Sequence, residues 1–161
     1  MVNKKLGLGI LVMILVFGMM GCSEDDDDKP EHNMLDKMNL SSGEPSALDK
    51  YGLDSTKFNA IITAASGGYK GYEVDGGFLY MVWTDRSSSS FTAVADLLKT
   101  TFSITNDGRT TGEVHSAKGE VTSPTWRRIY SLDFYPKKYF WSSNSYFPAG
   151  TMILEIPRTS S

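Results

Sequence analysis

The first apolar run of the chain covers residues 6–20 without a charged residue, and Lys4 and Lys5 precede it. The run is shorter than the roughly 20 residues that a helix needs to cross the hydrocarbon core of a bilayer. A positive start and a short apolar stretch that ends in small residues are typical of a secretory signal. This pattern predicts that residues 1–21 are a signal peptide.

The next segment, residues 22–50, is polar, shows little periodicity and contains Pro30 and Pro45. Such a composition is typical of a flexible tether. Four apolar residues leave open one short turn that docks on the folded domain: Met34, Leu35, Met38 and Leu40. We therefore expect a tether over residues 22–50 and one globular domain over residues 51–161.

The clearest helical pattern lies in residues 53–68, where apolar side chains recur at positions i, i+3, i+4 and i+7. Asp54 or Ser55 can cap the start of this helix, and Gly67 with Gly68 ends it. The stripe expected to face the core is Phe58, Ile61, Ile62 and Ala65.

Residues 87–102 fit two kinds of element. As a helix, the segment begins at a Ser90 cap and places four apolar residues in one stripe: Phe91, Val94, Leu97 and Leu98. As a strand, it forms a sheet edge. The stripe favours the helix, and the strand stays open as the alternative.

From Tyr69 onward the apolar positions mostly alternate, which is typical of strands with one buried face. Glycine-containing turn signals predict hairpins around residues 75–77 and 106–108. Residues 127–141 form an alternating strand, and residues 150–158 form a closing strand. In the former, one face holds Tyr130, Leu132 and Phe134, and the other holds Ile129, Ser131, Asp133 and Tyr135.

These elements together predict an α+β fold. It consists of an N-terminal signal, a flexible tether, one short helix and then a mainly antiparallel β domain that is sandwich-like or barrel-like. A domain spanning residues 51–161 is large enough for one hydrophobic core.

Composition and charge narrow the class of partner. The chain has 161 residues, 40% of them hydrophobic and 22% charged, with a formal net charge of −3, which is a globular composition. All of the acidic excess lies in residues 22–31, and from residue 32 onward acidic and basic residues are equal in number. A neutral body offers no basic surface, so we expect no nucleic-acid partner.

The apolar run ends in the letters MMGC, residues 19–22, and Cys22 is the only cysteine of the chain. Gly21 and Cys22 match the lipobox of bacterial lipoproteins, which this segment resembles, whereas Met19 and Met20 depart from its commonest residues. The resemblance implies a diacylglyceryl group on the Cys22 thiol, cleavage before Cys22 and acylation, such as palmitate, of the new amino terminus. An uncleaved anchor helix and a simple secreted protein remain the alternatives.

An acidic block follows the cysteine directly. Its DDDDK letters also occur in an expression tag, but a tag would not normally sit behind a lipobox. The block is similar to the export signal of surface-exposed lipoproteins of the Bacteroidetes, which implies an outer-membrane protein that faces the cell exterior. The residues of this signal are Ser23, Glu24, Asp25, Asp26, Asp27 and Asp28.

Catalytic and metal motifs are sparse. The two histidines, His32 and His115, have no metal-ligand spacing, and no serine-nucleophile motif occurs. Asp85 with Asp133 or Glu155 remains open as a carboxylate pair for glycoside cleavage. We therefore expect no catalytic residues, no metal and no cofactor, and we expect that the protein is not an enzyme.

Aromatic side chains are concentrated near the C-terminus, with nine among residues 126–147. Flat rings with polar edges stack on sugar faces, which makes Trp126, Tyr139 and Trp141 candidates for a ligand platform. The alternative is that the rings fill a small β core, where aromatic residues are common.

The sequence thus favours a lipid-anchored cell-surface binding module for a glycan or protein ligand, without catalysis. An accessory or structural subunit of an outer-membrane complex is the alternative, and a glycan-processing enzyme is a less favoured one.

Overall fold

The computed structural model describes residues 30–104, 107–123 and 126–159, with the side chains of residues 121–128 left undescribed. Two α-helices and nine strands lie in this part of the chain, together with 3-10 turns at Met34–Lys37 and Leu48–Tyr51. The helices are α1 Ser55–Ala64 and α2 Ser88–Thr101. The strands are β1 His32–Asn33, β2 Tyr69–Asp75, β3 Phe78–Trp83, β4 Asp107–Thr110, β5 His115–Ser123, β6 Trp126–Tyr135, β7 Tyr139–Ser142, β8 Ser145–Phe147 and β9 Thr151–Pro157.

Six strands form one antiparallel sheet in the order β2-β3-β9-β6-β5-β4. The last strand, β9, lies between β3 and β6 in the middle of this sheet. Its sequence explains the position, because Met152 and Leu154 are buried on one face and Ile153 on the other. A nearly continuous apolar run fits a strand that is covered on both faces.

Both helices pack on one side of the large sheet, which we call the helix-covered face. The side chains that meet there include Phe58, Ile61, Phe91, Val94 and Leu98 from the helices and Leu79, Met81, Trp83, Leu132 and Leu154 from the strands. The Asp54 carboxylate accepts a hydrogen bond from the Lys57 backbone N at 2.8 Å and caps α1. The predicted first helix and its buried stripe are confirmed.

The second helix is also confirmed, and the strand alternative for its residues is wrong. Phe91, Val94 and Leu98 of the predicted stripe are buried. The capping residue differs, because the Ser87 hydroxyl accepts from the Ser90 backbone N at 3.4 Å. Ser90 itself lies in the first turn of α2 and is buried.

One of the two predicted hairpins is wrong. The turn at residues 75–77 joins β2 and β3 as expected. Asp107 and Gly108, in contrast, lie inside β4, paired with Gly119 and Lys118, and the turn lies at residues 111–114. Two ion pairs favour this arrangement because they join β4 to α2: Asp107 with Lys99 at 3.2 Å and Arg109 with Asp96 at 2.7 Å. Asn106 lies outside the described residues.

The opposite side of the large sheet, which we call the half-covered face, carries a second, small sheet in the order β1-β8-β7. Tyr139 and Phe147 of this sheet pack on Tyr80, Val82, Tyr135 and Ile153 of the large one. The strand β1 runs parallel to β8, and β8 pairs antiparallel with β7.

Residues 30–50 are folded, which corrects the expectation of a flexible tether for this part. Met34, Leu35, Met38 and Leu40 pack on the half-covered face, as the docking-turn alternative proposed. Ser41 exchanges backbone hydrogen bonds of 2.7 and 2.9 Å with Tyr72 at the edge of β2, and Leu48 and Tyr51 enter the helix-side core. The tether prediction for residues 22–29 lies outside the described residues.

The chain is therefore largely β, with two helices and two mostly antiparallel sheets in its described residues. The expected mainly antiparallel β domain is confirmed, and the expected single helix is joined by a second. In the part that the structure describes, no helix has the length and apolar character needed to cross a membrane.

Candidate functional site

Tyr139 and Trp141, two of the three candidate platform residues, are neighbours in the structure. The centroids of their rings lie 6.5 Å apart. The Tyr139 ring also packs 5.4 Å from the ring of Tyr135, which is itself stacked on Phe147 at 4.5 Å. Tyr139 is therefore half-buried on the core side, whereas Trp141 is 39% exposed.

Trp126, the third candidate, does not join this pair. It begins β6, whereas Tyr135, the contact residue of Tyr139, ends the same ten-residue strand. At 3.3–3.4 Å per residue, the two ends of β6 lie roughly 30 Å apart. Trp126 is therefore separated from the Tyr139–Trp141 pair, and its side chain lies outside the described atoms.

A different aromatic group, which the sequence did not reveal, lies on the outer side of the small sheet. Phe140 pairs with Tyr146 across β7 and β8, and their ring centroids are 5.9 Å apart. The Lys138 ammonium lies 4.1 Å from the Tyr146 centroid and 4.7 Å from that of Phe140. We call Lys138, Phe140 and Tyr146 the outer aromatic face. The sequence does contain a signal for this pair. The loop between Phe140 and Tyr146 is short, and a hairpin there makes the two residues cross-strand partners.

Two carboxylates come together on the part of the half-covered face that the small sheet leaves open. Asp133 of β6 pairs with Ile153, and Glu155 of β9 pairs with Ser131, so the two acids are diagonal neighbours on one face. Asp133 accepts hydrogen bonds from the Ser116 hydroxyl at 2.5 Å and the Ser131 hydroxyl at 3.4 Å. We call these two acids and two serines, together with Lys118, which pairs with Ser131, the carboxylate site.

The charge of Asp133 acts on two neighbouring groups, Glu155 and Tyr135. Burial raises the pKa of the Glu155 carboxyl, the charge of Asp133 raises it further, and Lys118 opposes both effects. Burial, followed by the same Asp133 charge, also raises the pKa of the Tyr135 hydroxyl. Because Tyr135 contacts Tyr139, the carboxylate site borders the Tyr139–Trp141 pair.

The structure separates Asp85 from both of the carboxylates with which the sequence left it paired. Asp133 and Glu155 share the site instead, whereas Asp85 lies in the turn after β3, beside Gly150. The exposed Asp85 carboxylate accepts a hydrogen bond from the Thr84 hydroxyl at 3.0 Å. Only strand pairing could have shown this, because Asp133 and Glu155 are far apart in sequence.

His115 has a packing environment rather than an open strand surface. Its ring lies 5.8 Å from Phe91 and 5.5 Å from Phe134, with edge-to-face geometry in both cases. Among the residues that the structure describes, no group of three or more histidine, cysteine, aspartate or glutamate side chains is arranged to hold a metal ion.

Cys22 and the acidic residues from Ser23 to Asp28 lie outside the described residues, so the lipid anchor and the export signal remain predictions. A scan against protein-family models and searches of curated proteins and of solved structures found no significant match.

Proposed function

We propose that this protein is a lipid-anchored binding module at the outer face of the outer membrane, and that its ligand is a glycan. The observation that supports this function best is the carboxylate site together with the row of rings that leads from its neighbour Tyr135 through Tyr139 to the exposed Trp141. The small sheet stacked on the large one corresponds to the sandwich-like form of the expected fold.

The chemistry of the site suits a sugar. Carboxylates accept hydrogen bonds from neighbouring sugar hydroxyls, and serine hydroxyls and a lysine ammonium donate to the ring and hydroxyl oxygens. An adjacent aromatic ring covers the apolar face of the sugar. This surface offers polar groups at one end of a row of aromatic rings and the exposed Trp141 ring at the other.

The anchor rests on the sequence alone. Several acyl chains at Cys22 would hold the protein stably, whereas one chain binds a membrane only marginally. Mass spectrometry of the membrane fraction tests this part. We expect residues 1–21 to be absent and Cys22 to be lipidated, and an intact Met1 or an unmodified Cys22 would contradict the anchor.

A glycan array probed with the mature protein tests the ligand class. We expect a restricted set of glycans to bind, and Trp141→Ala to weaken binding by roughly 1–3 kcal/mol, the range measured for a base stacked on an aromatic side chain and used here for a sugar. Val74→Ala is the matched control, because Val74 is another exposed large apolar residue and its cross-strand partner Leu79 belongs to the helix-covered face, away from the carboxylate site. Binding that is absent, or equally weakened by both variants, would contradict the proposal.

A glycan-processing enzyme is the second candidate, and the raised pKa of Glu155 beside Asp133 favours it. A protonated carboxyl can act as general acid while its neighbour acts as base or nucleophile. Chromatography of glycans incubated with the protein distinguishes the two functions. A binding module leaves the glycan intact, whereas an enzyme releases shorter products and loses this activity in Glu155→Gln.

A further inference from the structure

The outer aromatic face presents apolar rings to the outside of the molecule. Along β7 the side chains alternate, so that Tyr139 packs inward on Tyr135 while Phe140 points away from the core and is 46% exposed. Tyr146 lies opposite Phe140 and is half-buried. These rings are not needed to cover the core, because Tyr139 and Phe147 already do so from the inner side of the same sheet.

The composition of this face matches the headgroup region of a bilayer. Phe140 supplies an apolar ring, and Tyr146 supplies a ring with a polar hydroxyl. Lys138 carries a charged group on an apolar stem that folds over both rings. Aromatic residues with polar tips and lysines with flexible stems are favoured where hydrocarbon meets water.

The path of the chain leads from this face toward the expected lipid. Pro30 and Glu31 precede β1, an edge strand of the small sheet, and the Glu31 carboxylate forms an ion pair with the Lys138 ammonium. The described chain therefore enters beside the outer aromatic face. From Cys22 to Pro30 an extended chain spans at most about 29 Å, so an acyl group on Cys22 keeps this face near the bilayer.

We propose that the outer aromatic face docks into the headgroup region of the membrane that holds the lipid anchor. The inference rests on the lipid anchor of the proposed function. Tethering raises the effective concentration of the face at the bilayer, so a small apolar contact is sufficient. The carboxylate site lies on the same side of the protein but about 10 Å, one packed-sheet layer, farther from the lipid, so ligand and membrane occupy different positions.

Fluorescence quenching in vesicles tests the docking with the full mature lipidated protein. Because the Cys22 thiol is acylated in this form, an introduced cysteine is its single free thiol. A fluorophore at Lys137→Cys reports on the outer aromatic face, and one at Thr56→Cys on α1 reports on the other side of the large sheet. The vesicles are phosphatidylcholine with a quencher in the headgroup region.

We expect strong quenching at position 137 and little at position 56. Phe140→Ser with Tyr146→Ser should reduce quenching at position 137 to the level at position 56, whereas the control Val74→Ser with Ile129→Ser leaves it unchanged. Because the contact is apolar, quenching should also persist in 0.5 M salt, where the Debye length is only about 4 Å. Equal quenching at both positions, or quenching that the double variant does not change, overturns the docking.

Flotation of the same vesicles separates this inference from the anchor. Protein that floats with the vesicles but is not quenched at position 137 overturns the docking and leaves the anchor intact. Protein that does not float overturns both. Two other responses of the fluorophore at position 137 also overturn the docking. A response to a soluble glycan instead of to lipid assigns the face to a ligand. A response to the concentration of the protein itself assigns the face to a second copy of the chain.

Discussion

The two faces of the six-stranded sheet are built from the same strands but are used in different ways. On the helix-covered face, α1 and α2 bury residues such as Leu79, Met81 and Leu154 completely. On the half-covered face, Tyr80 and Val82 are buried under the small sheet and residues 34–40. Alternate residues of one strand therefore serve a closed core on one side and a partly open, polar surface on the other.

Under the proposed function, this difference separates the residues that stabilise the fold from those that bind the ligand. A closed apolar face stabilises the fold through burial, and each large side chain there contributes substantially. On the open part of the other face, Asp133 and Glu155 occupy positions that apolar residues could fill, and burial raises the pKa of Glu155. Burying a carboxyl opposes folding, and we infer that its presence there serves the proposed ligand.

The largest expected effect contrasts two tryptophans. Trp83 is fully buried on the helix-covered face, whereas Trp141 is partly exposed at the small sheet. Trp83→Ala should lower the free energy of unfolding by about 3–5 kcal/mol through lost burial and a cavity. Trp141→Ala should cost less than about 1 kcal/mol, since surface substitutions have small effects. Denaturant unfolding of both variants checks the contrast, and equal losses would contradict it.

An intermediate effect is expected at two glycines of the β4–β5 hairpin. A Cβ atom at Gly119 would clash with the Tyr130 ring and lie 2.6 Å from the Ile104 side chain. Gly119→Ala should therefore cost about 1–3 kcal/mol, the usual range for overpacking. Gly108→Ala is the control, because a Cβ atom there meets nothing within 4 Å. Thermal melts check this difference. If the melts of the two variants coincide, the prediction is wrong and the side chains around Tyr130 are loosely packed.

The smallest expected effect is a pH dependence from Glu155. Because burial raises its pKa in the folded state, the folded protein binds this proton more tightly than the unfolded chain does. Stability should therefore fall as pH rises from the ordinary glutamate pKa through the raised one. Glu155→Gln should remove this part of the pH dependence and stabilise the protein at neutral pH.

Unfolding curves between pH 3 and pH 8 measure the Glu155 effect. Glu113→Gln, in the exposed turn before β5, is the control for the loss of one negative charge. If Glu113→Gln stabilises the protein at neutral pH as much as Glu155→Gln does, the effect comes from the net charge and not from burial.

Local signals explain which elements the sequence predicts. The helix α1 has its cap at Asp54 and its stripe at Phe58 and Ile61 within a few residues, and the turn at residues 75–77 is equally local. The β4 strand has no local signal of this kind. Its position depends on the ion pair between Asp107 and Lys99, and Lys99 belongs to α2. Residues 30–50 have few apolar side chains, and those pack on strands that follow much later in the chain.

The candidate site depends even more on long-range pairing. The alternation of residues in β6 correctly places Asp133 and Tyr135 on one face, but the sequence does not show that β9 lies beside β6. Without this strand order, Asp133 could not be matched with Glu155 or separated from Asp85. The same limitation applies to Trp126 and Tyr139, whose separation at opposite ends of β6 is not evident from the sequence.

The most direct test of the account measures glycan affinity and thermal stability on the same preparation of Asp133→Asn with Glu155→Gln. Each lost hydrogen bond to a charged group should cost about 1.5–3 kcal/mol of binding, so we expect an affinity loss of at least about 10-fold. Asp75→Asn, at the exposed end of β2, is the control. The predicted result is weaker binding with an unchanged or higher melting temperature. Unchanged binding, or binding lost together with the fold, would contradict the separation of a stabilising face from a binding face.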